Sequence, residues 1–452
     1  MINMKNPSAR DILYRQFVEN NSIDPKLYEK YTVKRGLRNS DGTGVIAGLT
    51  NICNVHGYVI NEGEKAPIEG QLIYRGYNIN DIVASARKEN RFGYEEAVYL
   101  LLLGELPTRS ELEAFSEIMS ENRELPPNFF EDMILKAPSP DIMNEMARSV
   151  LALYSYDDAP EDRSPAKEMA TAISIISRLP NIMVSAYQVK QRVYKNKSMI
   201  MHPLIPSHST AEMILSALRP NREFTDDEAK LLDLMLILHA EHGGGNNSTF
   251  ACRVLTSSGT DPFSAYSAAI GALKGPRHGG ANAKVMQMHE CIKNGVSNWD
   301  DEDELAEFLR KILRKEENDR TGLIYGMGHA VYTLSDPRAV ILKENAKKLA
   351  VGTEYEREFR LLESIERLTP ILFKEIKDDD KVMCANVDMY SGLVYRMLGI
   401  PDDLFTPLFA VSRMAGWSAH RFEELVTGKR IIRPAYKAIK SGKKYIPIDE
   451  RG

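Results

Sequence analysis

The run Leu231–Leu238 is apolar on nearly every side, and it limits what this chain can fold into. It follows Thr225-Asp226-Asp227-Glu228, a capping box in which the Thr hydroxyl accepts from a free backbone N–H and the Glu carboxylate reaches back. A helix that is apolar all round is buried on all sides, so this one must sit in the middle of the molecule. Gly243, Gly244 and Gly245 cannot sustain a helix cheaply and should end it. Beyond residue 80 the chain keeps reading as helix. Leu305, Phe308, Leu309, Ile312 and Leu313 make one stripe facing a core, and residues 354–376 behave similarly around Phe359, Leu362 and Ile365. Pro107, Pro180, Pro203, Pro206, Pro337 and Pro401 punctuate the elements. Only residues 41–80, with Gly44, Gly48, Gly57, Gly70 and Gly76, predict short strands and hairpins. The expected class is all-α, with few short strands near the N-terminus.

A chain of 452 residues exceeds the size at which one core stops growing, so two domains are expected. No repeat, low-complexity tract or Gly/Ser linker separates them, so the second domain must be an inserted lobe joined through tight segments. The hydrophobic share of 43% and charged share of 27% are those of a globular protein. With a net charge of −5 and no sustained basic face, no nucleic-acid partner is expected. The cluster Lys190, Arg192, Lys195, Lys197 reads as a solvated helix end. No window approaches about 18 uninterrupted apolar residues, so no membrane span is expected, and no apolar signal core opens the chain. Cys53, Cys252, Cys291 and Cys384 are widely spaced and form no CxxC pair. They read as reduced thiols of a cytoplasmic protein, neither a disulfide framework nor a zinc site.

Several segments carry groups suited to chemistry. His239-Ala240-Glu241-His242 places two histidines three apart, as a metal site would, yet no HExxH pattern or third ligand accompanies them. The alternative is that both cap a helix C-terminus, where partial negative charge favours imidazolium. In Gly275-Pro276-Arg277-His278-Gly279-Gly280-Ala281-Asn282, a tight loop precedes a helix pattern. A histidine there feels positive partial charge, stays neutral and can donate an N–H to a developing oxyanion, or is simply a turn residue. Tyr325-Gly326-Met327-Gly328-His329 lacks a trailing G-K-[ST] and is no P-loop, but offers free backbone groups beside a histidine, with Arg338 nine residues on. Asp388, in Asn386-Val387-Asp388-Met389, reads either as an N-cap or as a buried carboxylate whose pKa is raised toward that of a general base. Arg413 and Arg433 sit in apolar or Pro-flanked settings and need anionic partners, either an internal carboxylate or a substrate's.

The series HAEHGGGNNS, GPRHGGAN, GMGHAVY…DPRA, NVDMYSG, FAVSR and RP, with Gln71–Ile79 upstream, resembles the citrate synthase family over residues 40–450. The resemblance implies a large helical domain (1–278 and 391–452) with a smaller inserted helical domain (279–390). It implies a homodimer and a cleft that oxaloacetate closes before acetyl-CoA binds. It implies condensation of acetyl-CoA with oxaloacetate to citrate and CoA, with no cofactor and no metal. His278 would stabilise the enol, Asp388 take the methyl proton and His329 polarise the keto group. His242, Arg338, Arg413 and Arg433 would hold oxaloacetate, with Arg433 reaching in from the other subunit. The backbone of Gly326, Met327 and Gly328 would contact the CoA adenine. Thr333 departs from the pattern, since many members carry Arg or Lys there to meet a CoA phosphate; Lys274, Arg277 and Lys284 are the candidates to replace it. The same groups would serve a 2-methylcitrate synthase using propionyl-CoA. A silent helical scaffold and a metal-dependent hydrolase built on His239 and His242 are the readings from other classes.

Overall fold

The structure is a computed structural model describing residues 7–39, 42–61, 64–377 and 382–451. The chain up to Leu49 is one unit, with helices α1 (Pro7–Asn21) and α2 (Lys26–Lys30) followed by an extended stretch in which Arg38 bridges to Gly44.

From Thr50 a second unit begins. Strands β1 (Cys53–Asn61) and β2 (Glu64–Tyr74) pair antiparallel, Cys53 opposite Tyr74, and β3 (Tyr77–Asn78) returns beside β2. The turn between β2 and β3 is Arg75-Gly76, both at positive φ, which matches the twist of a tight hairpin. At 9 and 11 residues, β1 and β2 are longer than the short strands expected. The register slips between His56 and Tyr58, leaving Gly57 in a bulge.

The rest is helical: α3 (Ile79–Lys88), α4 (Tyr94–Leu103), α5 (Arg109–Glu121), α6 (Ile142–Ala152), α7 (Pro165–Lys195), α8 (Thr210–Leu218), α9 (Asp226–His239), α10 (Asn247–Ser257) and α11 (Pro262–Lys274). Then come α12 (Ala281–Gly295), α13 (Glu302–Leu313), α14 (Pro337–Ala350), α15 (Glu356–Lys377), α16 (Asp388–Met397) and α17 (Phe405–Thr427). Side-chain caps start many of them. Thr225 accepts the Glu228 N–H as the sequence predicts, and Thr108 and Ser209 form the same box with Glu111 and Glu212.

Helix α9 is buried from Leu231 through His239. It packs against α4, α8, α14 and α17. It stops at His239, before the three glycines, because Tyr74 secures its end. The Tyr74 hydroxyl lies 3.0 Å from the carbonyls of both Ile237 and Glu241 and takes the Glu241 N–H at 3.2 Å. Helix α17 is a second central helix, buried from Ala410 to Arg421, and the sequence reading did not single it out.

Pro180 does not break the chain as expected but lies inside the 31-residue α7, fully buried. The missing N–H costs about 3 kcal/mol, and α7 persists because it packs on α5, α6, α8, α11 and α17. Although no apolar run is uninterrupted, α7 is long and apolar enough to cross a membrane; 67% of its apolar window is buried inside the fold. At its C-terminal end Lys190 is not merely solvated but pairs with Asp403 at 2.8 Å. Helices α12 to α16 pack largely on one another, α13 showing the predicted stripe of Leu305, Phe308, Leu309, Ile312 and Leu313.

Candidate active site

Two of the loops that carry candidate groups, those of His329 and Asp388, are laced together. The loop before α14 sends the Gly328 N–H to the Cys384 carbonyl at 2.7 Å, and the Asn386 N–H returns to the Gly326 carbonyl at 2.9 Å. The Asn386 side chain donates to the Gly328 carbonyl at 2.9 Å and accepts the Asp388 N–H at 3.0 Å. His329 and Asp388 are therefore fixed relative to each other by one antiparallel patch. The same bonds engage the Gly326 carbonyl and both backbone groups of Gly328, so the expectation of free backbone groups along Gly326, Met327 and Gly328 fails at those groups. The Met327 N–H also bonds, to the Ile324 carbonyl at 3.3 Å. Gly326 has φ +83 and faces the Met389 backbone, so no other residue suits the position.

The hairpin braces this loop from behind. At Gly70 a Cβ would collide with the Ser335 carbonyl, and at Gly57 one would meet the Val331 carbonyl at 2.8 Å. These two glycines are needed for close approach rather than for turns. Across the contact the Gly70 N–H reaches the Ser335 hydroxyl at 3.1 Å, and the Tyr332 hydroxyl donates to the Gln71 carbonyl at 3.3 Å.

His329 receives the N–H groups of Val331 and Tyr332 on Nδ1, both at 3.1 Å, so its proton sits on Nε2. Its ring stacks on Tyr332 at 4.6 Å and meets the His242 ring edge-on at 5.1 Å. His278, in the turn between α11 and α12, is the opposite tautomer. Its Nε2 accepts the Ser248 N–H at 3.3 Å and lies 2.9 Å from the Ser248 hydroxyl, leaving the proton on Nδ1. The Ser248 hydroxyl in turn receives Trp417 Nε1 at 3.2 Å and lies 2.9 Å from Asn246 Oδ1. Burial, helped by the Arg413 charge, pushes the His278 pKa down to about 4. The neutral state is as expected, with desolvation as its largest cause.

His239 and His242 are also neutral, which overturns the imidazolium expectation. Burial drives both well below the ordinary histidine value, and the charges of Arg338 and Arg413 add to it, outweighing the end of α9. Among the described residues no group of three or more His, Cys, Asp or Glu is placed to hold a metal ion.

Asp388 is the first residue of α16, and its side chain caps nothing. Burial raises its carboxyl to about 6; the Arg338 charge lowers it and Asp336 raises it further. Arg338 is engaged along one edge: Asp336 accepts from Nε at 3.0 Å and from NH2 at 2.7 Å. Arg413 is different. It is fully buried, donates Nε to the His239 carbonyl at 2.7 Å, and has NH1 and NH2 with no protein acceptor. His242 Nε2 is likewise buried without a partner. Arg433 lies exposed in the extended segment after α17, outside this group within the single chain. Of the cations considered in place of Thr333, Lys274 pairs with Asp141 and Lys284 with Asp319, whereas Arg277 is exposed beside His278. A cavity of about 270 Å³ lined by Pro67, Gly328, His329, Tyr332, Thr333, Val382 and Met383 opens onto the His329 ring.

Sequence reasoning gave no role to Asp336, Tyr332, Asn386 or Ser248. All four lie inside the segments it marked; Tyr332, Asn386 and Ser248 bond to backbone groups or to residues distant in the chain, whereas Asp336 pairs with Arg338 two residues on. Neutral histidines, a carboxyl with a raised pKa and a buried guanidinium with open donors are groups suited to acid–base chemistry on an anionic molecule, the features expected of an enzyme.

Comparison with known proteins narrows the class. The model of the citrate synthase C-terminal domain matches residues 39–435. A citrate synthase of Saccharolobus solfataricus is 34% identical over 93% of this chain and 99% of its own length. A 2-methylcitrate synthase of Shewanella oneidensis is 32% identical over 84% of this chain and 92% of its own. The solved ternary complex of carboxymethyl coenzyme A and oxaloacetate with citrate synthase from Thermoplasma acidophilum superposes with a TM-score of 0.74 at 29% identity, covering 93% of this chain and 99% of that one. The chain belongs to the citrate synthase family and is an enzyme of that type.

Proposed function

We propose that this enzyme condenses acetyl-CoA with oxaloacetate to give citrate and CoA. The observation that supports it best is the buried Arg413, whose two terminal nitrogens lack a protein acceptor and whose charge helps keep His242 and His278 neutral. A dicarboxylate with a keto group matches that set. The methyl group of a thioester is a very weak acid, so Asp388 removes its proton only if the enolate oxygen is met as it forms. His278 Nδ1–H serves there, and one preorganised donor of this kind contributes about 3–4 kcal/mol. His329 Nε2–H polarises the keto carbonyl, and the enol carbon attacks the keto carbon to give citryl-CoA. Water then cleaves the thioester, releasing citrate and CoA. Arg413, His242 and the open side of Arg338 hold the carboxylates, and Arg277 is the remaining candidate for a CoA phosphate.

Helices α12 to α16 act as the closing lobe, excluding bulk water before the thioester is activated. The chain works as a homodimer with Arg433 supplied across the interface. Four unpaired cysteines suit a reducing compartment, so we place the enzyme in the cytoplasm. A second reading, 2-methylcitrate synthesis from propionyl-CoA, is favoured by the Shewanella oneidensis relative, whose identity differs little from that of the Saccharolobus solfataricus one. One methylene in a pocket discriminates by only about 1–3 kcal/mol.

Thiol release from acetyl-CoA and propionyl-CoA, with and without oxaloacetate, decides the matter. Oxaloacetate-dependent release faster with acetyl-CoA is expected, and His278→Ala should abolish it in a protein that keeps its circular dichroism. Faster release from propionyl-CoA would move the assignment to the methyl homologue. No release from either, or an active His278→Ala, would overturn the proposal.

A further inference from the structure

Behind the histidines lies a row of buried charge that the proposed chemistry does not use. Glu241 and His420 are both fully buried, with His420 Nε2 2.9 Å from Glu241 Oε1. Arg253 aims Nε and NH2 at His420 Nδ1, at 3.1 and 2.7 Å, and is itself paired with Glu423 and, at 2.9 Å, with Glu424. With Nδ1 occupied as an acceptor, the proton of His420 sits on Nε2 and is donated to Glu241. The same carboxylate oxygen accepts the Gly243 N–H at 2.5 Å, while Oε2 is buried without a partner. Gly416 of α17 makes room for it, since a Cβ there would collide with Glu241 Oε2. Burial pushes the Glu241 carboxyl up, but His420, Arg413 and the Gly243 N–H outweigh it and leave it below the ordinary glutamate value.

Arg413 lies three residues before Gly416 on α17, one turn from where the Glu241 carboxylate packs. Burial acts to discharge it, and the largest opposing influence is Glu241. A buried carboxylate and a buried guanidinium with open donors ordinarily close into a two-bonded pair. Here both Oε2 of Glu241 and the two terminal nitrogens of Arg413 are left unpartnered. What holds the carboxylate back is its commitment to His420 and to the Gly243 N–H. We propose that His420 is a positioning residue: by gripping Glu241 it prevents that carboxylate from capturing Arg413, whose terminal N–H groups stay open for a substrate carboxylate. Glu241 then balances the buried cation without occupying its donors. Arg253 fixes the tautomer that makes the grip possible. The inference rests on the oxaloacetate reading above.

Steady-state kinetics on the full chain test it, with wild type, His420→Phe, Glu241→Gln and the double variant. His420→Phe should raise the KM for oxaloacetate about tenfold while kcat changes less than about threefold, the signature of lost uniform binding. In the double variant the neutral amide has no charge with which to seize Arg413, so KM should return to within about threefold of wild type. A role confined to packing gives a double variant at least as impaired as His420→Phe, and that result overturns the inference. If His420→Phe does not fold, Glu241→Gln alone decides: KM should fall, since a carboxylate near the anion site is removed, and a rise overturns the inference. A wild type that turns over with His420→Phe unchanged in KM sinks this inference and leaves the proposed reaction standing. A wild type without oxaloacetate-dependent release sinks both.

Discussion

Asp388 and His278 are both half-buried, and loss of solvent moves them in opposite directions because it penalises whichever form is charged. The carboxyl rises to about 6 and the imidazole falls to about 4. At neutral pH the pair is therefore an ionised base and a neutral donor, the states that proton abstraction from a thioester requires. The acid limb of kcat/KM should belong to Asp388: activity should fall as pH drops through about 6, with His278 adding no limb between pH 5 and 8. A limb near 4 would remove Asp388 as the base. Stability gives an independent check with its sign fixed by linkage. The folded-state value lies above the unfolded one of about 3.9, so the native state binds the extra proton and loses stability as pH rises through 4–6. Asp388→Asn should accordingly stabilise the fold by about 3 kcal/mol at pH 7.5, with no gain below pH 4, while lowering turnover at least about 100-fold. Thermal melts at the two pH values measure the first part. A gain of stability paired with a loss of turnover marks a group held in place for chemistry. His239 and His242 show the limit of reading residues singly: their sequence position at a helix end argued for charge, and only the packed structure brings Arg338 and Arg413 beside them.

At the scale of elements, legibility depended on whether a helix declared its burial in its own residues. Helix α9 did, through the apolar run and the Thr225–Glu228 box, and α13 did through its stripe. Helix α17 did not. Ser412, Arg413, Ser418, His420 and Arg421 look like a polar face, yet each is fully buried. Ser418 bonds back to the Met414 carbonyl one turn earlier, but the partners of the other four, among them the His239 carbonyl, Glu241 and Glu168, lie more than 150 residues away in the chain. The catalytic candidates were legible because each lies in a short Gly-marked segment; the lacing of 326–328 to 384–386 was not, because backbone pairing leaves no side-chain signature. The hairpin was foreseen as an element, but its function as a brace emerges only from Gly57 and Gly70 against the loop that carries His329. Gly70→Ala should push that loop away from β2. Overpacking of this kind costs about 1–3 kcal/mol, and turnover should fall by more than the lost folded fraction explains, since His329 moves with the loop. Comparing urea midpoints with kcat on the folded protein separates the two effects; a variant that loses stability alone would show that the hairpin does not position the histidine.

At the scale of the whole molecule, the proposed dimer turns on one exposed residue, Arg433. Arg433 lies outside the pocket, in an extended segment tied down by the Ile432 N–H to Ser257 Oγ bond at 3.0 Å. In the same C-terminal segment Ile431 is 60% exposed, Tyr436 95% and Ile448 71%, apolar side chains that the proposed second copy would cover. If Arg433 completes the partner's site, the deficit of an Arg433→Ala subunit and that of a His278→Ala subunit lie in different polypeptides. Each homodimer should then be nearly inactive. When the two are unfolded together, mixed in equal amounts and refolded, about half of the dimers are mixed. In a mixed dimer one site carries both lesions. The other joins the intact His278 of the Arg433→Ala subunit to the intact Arg433 of the His278→Ala subunit. One working site in half of the dimers is about one quarter of wild-type activity. That recovery cannot arise if Arg433 serves its own chain, because every site would then carry one lesion or the other. Activity that stays at the level of the parent variants, in a sample whose mixed dimers are confirmed by mass, would place Arg433 outside the partner's chemistry and confine the site to a single chain.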